Sequence, residues 1–191
     1  GARKHASVRV RAKRVVVACG GMYSPLLLSR SGVRGPHLGR HMTLHPSFRL
    51  FARFDEQVRG WDGALQAAYV DHWHDITNVG VFIPPSVLVA TMPGVGKEHV
   101  DNARTVSQMA LFGALVHDEG GGRVFASPFS RDPIMVYRMA KKDRETVPRA
   151  IRLGASIFFA AGAKEMFLPV IGSSAVTADQ LAKLDLEHMP M

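Results

Sequence analysis

Cysteine is nearly absent: Cys19 stands alone in 191 residues, which excludes an internal disulfide framework and any metal site built on several thiolates. A chain without disulfides suits a reducing, cytoplasmic compartment. Aromatic residues make up only 8% of the chain, and none interleaves with the densest basic run, residues 9–14, to offer bases a stacking platform. The formal charge of +8 speaks for nucleic acid only weakly without a binding motif. Within that run the basic residues alternate with Val8, Val10 and Ala12, the pattern of a half-buried strand with one solvated face, so no nucleic-acid partner is expected. Long apolar runs are missing too. The longest uncharged stretch, residues 76–96, is interrupted by Pro84, Pro85 and Pro93 and reads as loop and short strands rather than a membrane span. Residues 1–14 hold no apolar run that could form the core of a signal peptide. No G-x-G-x-x-G occurs. GVGKEH at 94–99 lacks the third glycine, follows no buried strand, and also lacks the Ser or Thr that a phosphate loop needs after its lysine.

What is present is enough to fold. With 47% hydrophobic and 21% charged residues, the chain can bury a core and lies far from the composition of disordered proteins. Residues 15–19, VVVAC, form an unbroken apolar run, as a strand covered on both faces in a parallel sheet requires. Gly20 and Gly21 follow as a tight turn. Ser24-Pro25 then predicts a helix from residue 25 to about 30, with Ser24 as its cap, Pro25 in the first turn and Ser31-Gly32 as its stop. Strands are expected over 44–54, 64–70 and 134–139, and a short helix over 97–106. Residues 109–116 and 123–126, joined by DEGGG, predict an antiparallel hairpin turning at 120–122. A long helix is expected over about 146–166, with Ala150, Ile151, Ala155, Phe158 and Phe159 on one stripe and its cap at Thr146, or at Asp143 if Pro148 is tolerated inside it.

The strand, turn and helix around VVVACGGMYSPLLLSRSG leave room for a cofactor at the carboxyl end of a strand, and the helix start presents free amides to something negative or polar. Short glycine motifs are also common in ordinary β-α units. The stretch resembles the second signature of the glucose-methanol-choline flavoprotein oxidoreductases, with Gly20-Gly21, Ser24-Pro25, Leu27-Leu28 and Ser31-Gly32-Val33 at the family's spacings. Gly21 and Arg34 depart from it. GRHMTLHP at 39–46 is similar to the family's crossing into the substrate domain, nearest the long-chain alcohol oxidase branch, and ALVHDEGGGRVFASP, DPIMVYRMAKKD and AGAKEMF follow in the family's order.

The resemblance implies an α/β fold with an α+β substrate domain: part of an FAD-binding, Rossmann-like domain over residues 1–39, then over 40–191 an antiparallel sheet with helices on one side. It implies FAD as cofactor, an alcohol as substrate, hydride transfer to the flavin, and Ala18, Cys19, Gly20 and Gly21 as backbone neighbours of FAD. The family's catalytic histidine falls beyond Met191, so the 191 residues read as an interior piece, expected to be inactive alone, and no catalytic residue is assigned. The aliphatic and aromatic residues in 48–54 and 79–92 hint at an apolar alcohol, although a packed core has the same composition. A binding or interaction module that keeps the substrate-domain sheet without redox chemistry is the alternative. Among other residues, DHWHD at 71–75 offers two histidines on one strand face but no third ligand, and reads as a solvated polar strand. His41 and His45 are four apart, yet Pro46 and a strand context argue against a helical ligand pair, and His45 reads as structural. Cys19, inside an apolar run, is expected to be buried and inert.

Overall fold

The computed structural model describes residues 8–72, 75–170 and 175–188. In chain order the elements are α1 (Gly20–Arg30), β1 (Arg40–Met42), β2 (Ser47–Arg53), β3 (Tyr69–His72), β4 (Ile76–Gly80), α2 (Pro85–Ala90), α3 (Lys97–Arg104), β5 (Met109–Val116), β6 (Gly122–Ala126), β7 (Pro133–Val136), α4 (Lys141–Ala160), β8 (Glu165–Phe167), β9 (Ala175–Val176) and α5 (Ala178–Lys183). They divide into two compact units, residues 1–42 with 122–137, and residues 43–121 with 138–191. The division expected at 39/40 was a single cut. Here the chain returns to its first unit for sixteen residues, 122–137, before re-entering the second.

The second unit is a six-stranded antiparallel sheet in the order β3-β4-β5-β2-β8-β9. Alternation along its central strands splits the core into two layers. Leu50 and Ala52 of β2, Ala114 and Val116 of β5 and Met166 of β8 meet the stripe Val147, Ala150, Ile151, Ala155 and Phe158 of α4. Phe51, Met109, Leu111 and Phe167 face the other way and pack with Leu88 of α2 and with Met92. Helices therefore lie on both faces, not on one side as expected. The reason is local: Pro84 and Pro85 start a helical turn in a stretch read as loop and strand, and Leu88, 2% exposed, carries it onto the sheet.

The stripe expected of α4 is present, but the helix begins at Lys141, earlier than the spacing suggested. Neither Thr146 nor Asp143 is its cap. Ala140 occupies that position without a side-chain bond, Asp143 lies buried in the first turn where the helix dipole favours a carboxylate, and Thr146 donates to the Lys142 carbonyl at 3.2 Å. Pro148 lies inside the helix, where it leaves the Arg144 carbonyl without its usual donor, and its ring is buried in the core-facing stripe. Gly162, at φ +96°, closes the far end. The short α5 begins with a reciprocal capping box between Thr177 and Gln180.

The first unit is smaller, a three-stranded antiparallel sheet β1-β6-β7 with α1 packed against β6 and β7, and Leu26 of α1 and Val124 of β6 are buried in it. The hairpin expected from 109–126 is overturned. Both arms are strands, but both edges of β5 are already occupied by β2 and β4, so β6 pairs with β1 and β7 instead. The glycine run marks the passage from one unit to the other.

The buried strand expected over 15–19 is also overturned. Residues 8–19 belong to no strand or helix, and Val8, Val10, Val15 and Val16 are at least 80% exposed. A strand needs a ladder partner and an apolar layer, and no strand among the described residues pairs with this run. The alternating basic residues at 9–14 are exposed with it, so the half-buried strand they suggested does not form. Among the described residues no helix is long and apolar enough to cross a membrane.

Candidate functional site: the glycine turn at the start of α1

The four residues singled out for a cofactor lie together at the start of α1, and all four are exposed. Cys19 is the cap residue and not part of a buried strand, so its thiol is exposed rather than buried. Ser24, expected as the cap, sits inside the helix and reaches back: the Cys19 amide donates to Ser24 Oγ at 3.1 Å. Gly20 has φ +76°, a left-handed conformation that a side chain would strain, and a β-carbon on Gly20 or Gly21 would meet no atom within 4 Å. The turn is thus bare backbone facing open space.

Its polarity follows from helix geometry. The first-turn amides of a helix have no acceptor within it, Cys19 supplies no side-chain cap, and the first turn contains no acidic residue. Pro25 lies inside the helix and has no N–H, which deprives the Gly21 carbonyl of its usual donor. The turn therefore offers amide donors, the positive end of a dipole and an acceptor carbonyl within a few residues. These groups fit the polar edges of an extended cofactor.

The helix is held firmly behind that turn. Arg30 donates to the carbonyls of Arg131 and Ser130 at 3.0 Å each, and the Tyr23 hydroxyl donates to Asp132 Oδ1 at 3.1 Å. The hydrogen bond to Asp132, and then its charge, raise the Tyr23 pKa above the usual phenol value. Because the folded value is raised, the pair's contribution is present throughout the neutral range and is lost as pH rises through that value. At the other end the Gly32 amide donates to Ser29 and the Val33 amide to Leu28, a Schellman stop with Gly32 at φ +83°, where the sequence placed it.

Other sequence candidates fall outside this turn. Trp73 and His74 lie outside the described residues, as does the His72 side chain, and among the described residues no group of three or more His, Cys, Asp or Glu is placed to hold a metal ion. The His45 ring stands edge-on to His117 at 5.8 Å between centroids, and His117 pairs with Thr77 Oγ1 at 2.9 Å. His41 does meet a second histidine, but it is His37 and not His45. Sequence spacing considered only the pair four residues ahead.

The family model described as GMC oxidoreductase matches residues 1–47, which contain the whole glycine turn and α1. An uncharacterized GMC-type oxidoreductase of Mycobacterium tuberculosis is 34% identical over 168 residues, covering 86% of this chain and 26% of the relative. The chain belongs to the GMC oxidoreductase family. A long-chain-alcohol oxidase of Arabidopsis thaliana is 27% identical over 192 residues, 94% of this chain and 24% of the relative, which puts the GMC chain near the alcohol oxidase branch. A GMC-type oxidoreductase of Sinorhizobium fredii is 26% identical over 171 residues, 89% of the chain and 34% of the relative. The GMC chain spans about a quarter of the length of the first two relatives.

Proposed function

We propose that this chain forms the flavin-facing turn and the substrate-side sheet of an FAD-dependent oxidoreductase acting on the CH–OH group of an alcohol. The observation that carries the reading is the turn at 18–21: uncapped first-turn amides, with Gly20 and Gly21 presenting side-chain-free backbone to open space, inside the segment that matches the family. Ala18, Cys19, Gly20 and Gly21 would hold the cofactor through their backbones, and the unit containing residues 1–42 would be part of a Rossmann-like FAD domain. FAD, when bound, supplies the hydride acceptor. The residues of this chain orient and enclose: α1 is fixed by Arg30 and Tyr23, so the turn it carries is a rigid edge. The second unit, built on the antiparallel sheet, would form the substrate side. The alcohol oxidase relatives support a long, apolar alcohol.

Gly21→Leu tests the turn cleanly. Gly21 has no positive φ and a β-carbon there would meet nothing within 4 Å, so a side chain starts from unstrained backbone into the space assigned to the cofactor. In the protein purified at its natural length, flavin affinity is expected to fall about tenfold or more, roughly 1.4 kcal/mol, with thermal unfolding of the apoprotein unchanged. Full flavin occupancy in the variant at wild-type affinity would overturn the assignment.

A further inference from the structure

The turn between α1 and β1 brings two histidines together. His37 Nδ1 and His41 Nε2 are 3.3 Å apart, both rings are exposed, and their planes are tilted by 39°. The backbone makes this meeting. Leu38 N–H donates to the Gly35 carbonyl and Arg40 N–H to the His37 carbonyl, coiling the chain, and Gly39 at φ +69° and His41 at φ +59° are both left-handed. That region is uncommon for a residue with a side chain, and a strained residue that persists points to a functional constraint.

A direct hydrogen bond between the imidazoles is one account of the contact. At 3.3 Å it is a long N–H···N contact whose donor and acceptor roles depend on the ring tautomers. Two nitrogens bound to one tetrahedral zinc at about 2.0–2.1 Å stand about 3.3–3.4 Å apart. The observed separation of 3.3 Å matches that spacing. We propose that His37 Nδ1 and His41 Nε2 form a two-imidazole chelate for a first-row divalent transition metal of the zinc and copper class, with water in the remaining positions.

The donor chemistry supports that class. Imidazole suits zinc, copper and nickel, whereas magnesium and calcium demand oxygen ligands. Among the described residues no third His, Cys, Asp or Glu joins the pair, so the ion remains solvent-open and exchangeable. Any proton shared by the two rings leaves when the metal binds, since each ring must offer its lone pair. The ion would close a loop across residues 37–41, tying the turn at His37 to His41 in the middle of β1, just before the first compact segment ends at Met42. Its role is that of a staple on this turn, and it takes no part in the redox reading above.

The test is calorimetric titration of Zn2+ into the protein at its natural length, as wild type, His37→Ala and His41→Ala, with circular dichroism confirming that the fold is retained. The wild type is expected to bind one ion that each variant loses or binds at least about tenfold more weakly. Its thermal midpoint should rise with Zn2+ concentration and theirs should not. The sequence contains a second closely spaced pair, His72 and His74, so the double variant His72→Ala/His74→Ala is the discriminating control and should keep the site. Identical Zn2+ binding by wild type and both single variants, or loss of the site only in the His72/His74 double variant, overturns the proposal.

Discussion

Gly39→Ala is expected to destabilise the first unit by about 2–5 kcal/mol, from a left-handed conformation that disfavours a side chain and a collision that cannot relax. A β-carbon at Gly39 would lie 2.1 Å from the Val124 carbonyl oxygen and 3.3 Å from its carbon, both backbone atoms of β6. That strand is pinned on both edges, by β1 and by β7, and the Gly39 carbonyl itself accepts from the Val124 amide at 2.7 Å. Gly32 provides the matched control. Its φ of +83° carries the same conformational penalty, but a β-carbon there would meet nothing within 4 Å, so Gly32→Ala should cost only about 1–2 kcal/mol. Gly39→Asn separates the two causes further, because asparagine tolerates the left-handed region yet meets the same carbonyl. Hydrogen exchange at the Val124 amide is the local readout. Protection should collapse in both Gly39 variants and survive in Gly32→Ala. Equal protection in Gly39→Ala and Gly32→Ala would show that the close approach to β6 does not exist.

Leu50→Ala should lower the stability of the second unit by about 3 kcal/mol, within the 2–5 kcal/mol usual for a leucine removed from a tight core. Leu50 is fully buried between the sheet and α4, opposite Phe112 in the neighbouring strand. It also explains Gly154, an otherwise costly residue in mid-helix. A β-carbon there would lie 2.3 Å from Leu50 Cδ1, so glycine lets α4 settle onto the leucine. The pair should be non-additive. Gly154→Ala alone gains helix propensity but crowds Leu50, whereas in the Leu50→Ala background the new methyl group fills vacated space and recovers part of the loss. Urea unfolding of the four proteins measures this coupling. Strict additivity would mean that residues 50 and 154 do not share one packing site.

Much of the second unit was legible in the sequence because its elements carry their own periodicity. Residues 109–116 form the strand their apolar run predicts, and the α4 stripe lies where the 3.6-residue spacing put it. What failed was pairing. The glycine run after 116 carries the local signature of a hairpin, but a hairpin requires that β5 have a free edge, and that depends on β2 and β4, which are distant in sequence. The VVVAC run likewise has the composition of a buried strand, while burial is decided by neighbours that composition does not name. For the candidate site, the chain order Gly-Gly-Met-Tyr-Ser-Pro located the turn, but Ser24 and Pro25 lie about one turn deeper in the helix than the capping rule puts them. That rule places a serine before the first turn, and here the glycines themselves begin the helix. The His37 contact depends on two left-handed excursions on either side of Arg40, one of them at a histidine, for which no sequence rule prepares.

The central claim is that this glycine turn serves flavin chemistry on an alcohol, and flavin reduction by substrate tests it most directly. The protein purified at its natural length would be mixed without oxygen with primary alcohols of increasing chain length while its visible absorbance is recorded. The account predicts bound flavin that bleaches on adding a long-chain alcohol and regains its colour when an oxidant is admitted. A well-folded protein that binds no flavin, or a bound flavin whose absorbance no alcohol changes, would contradict it.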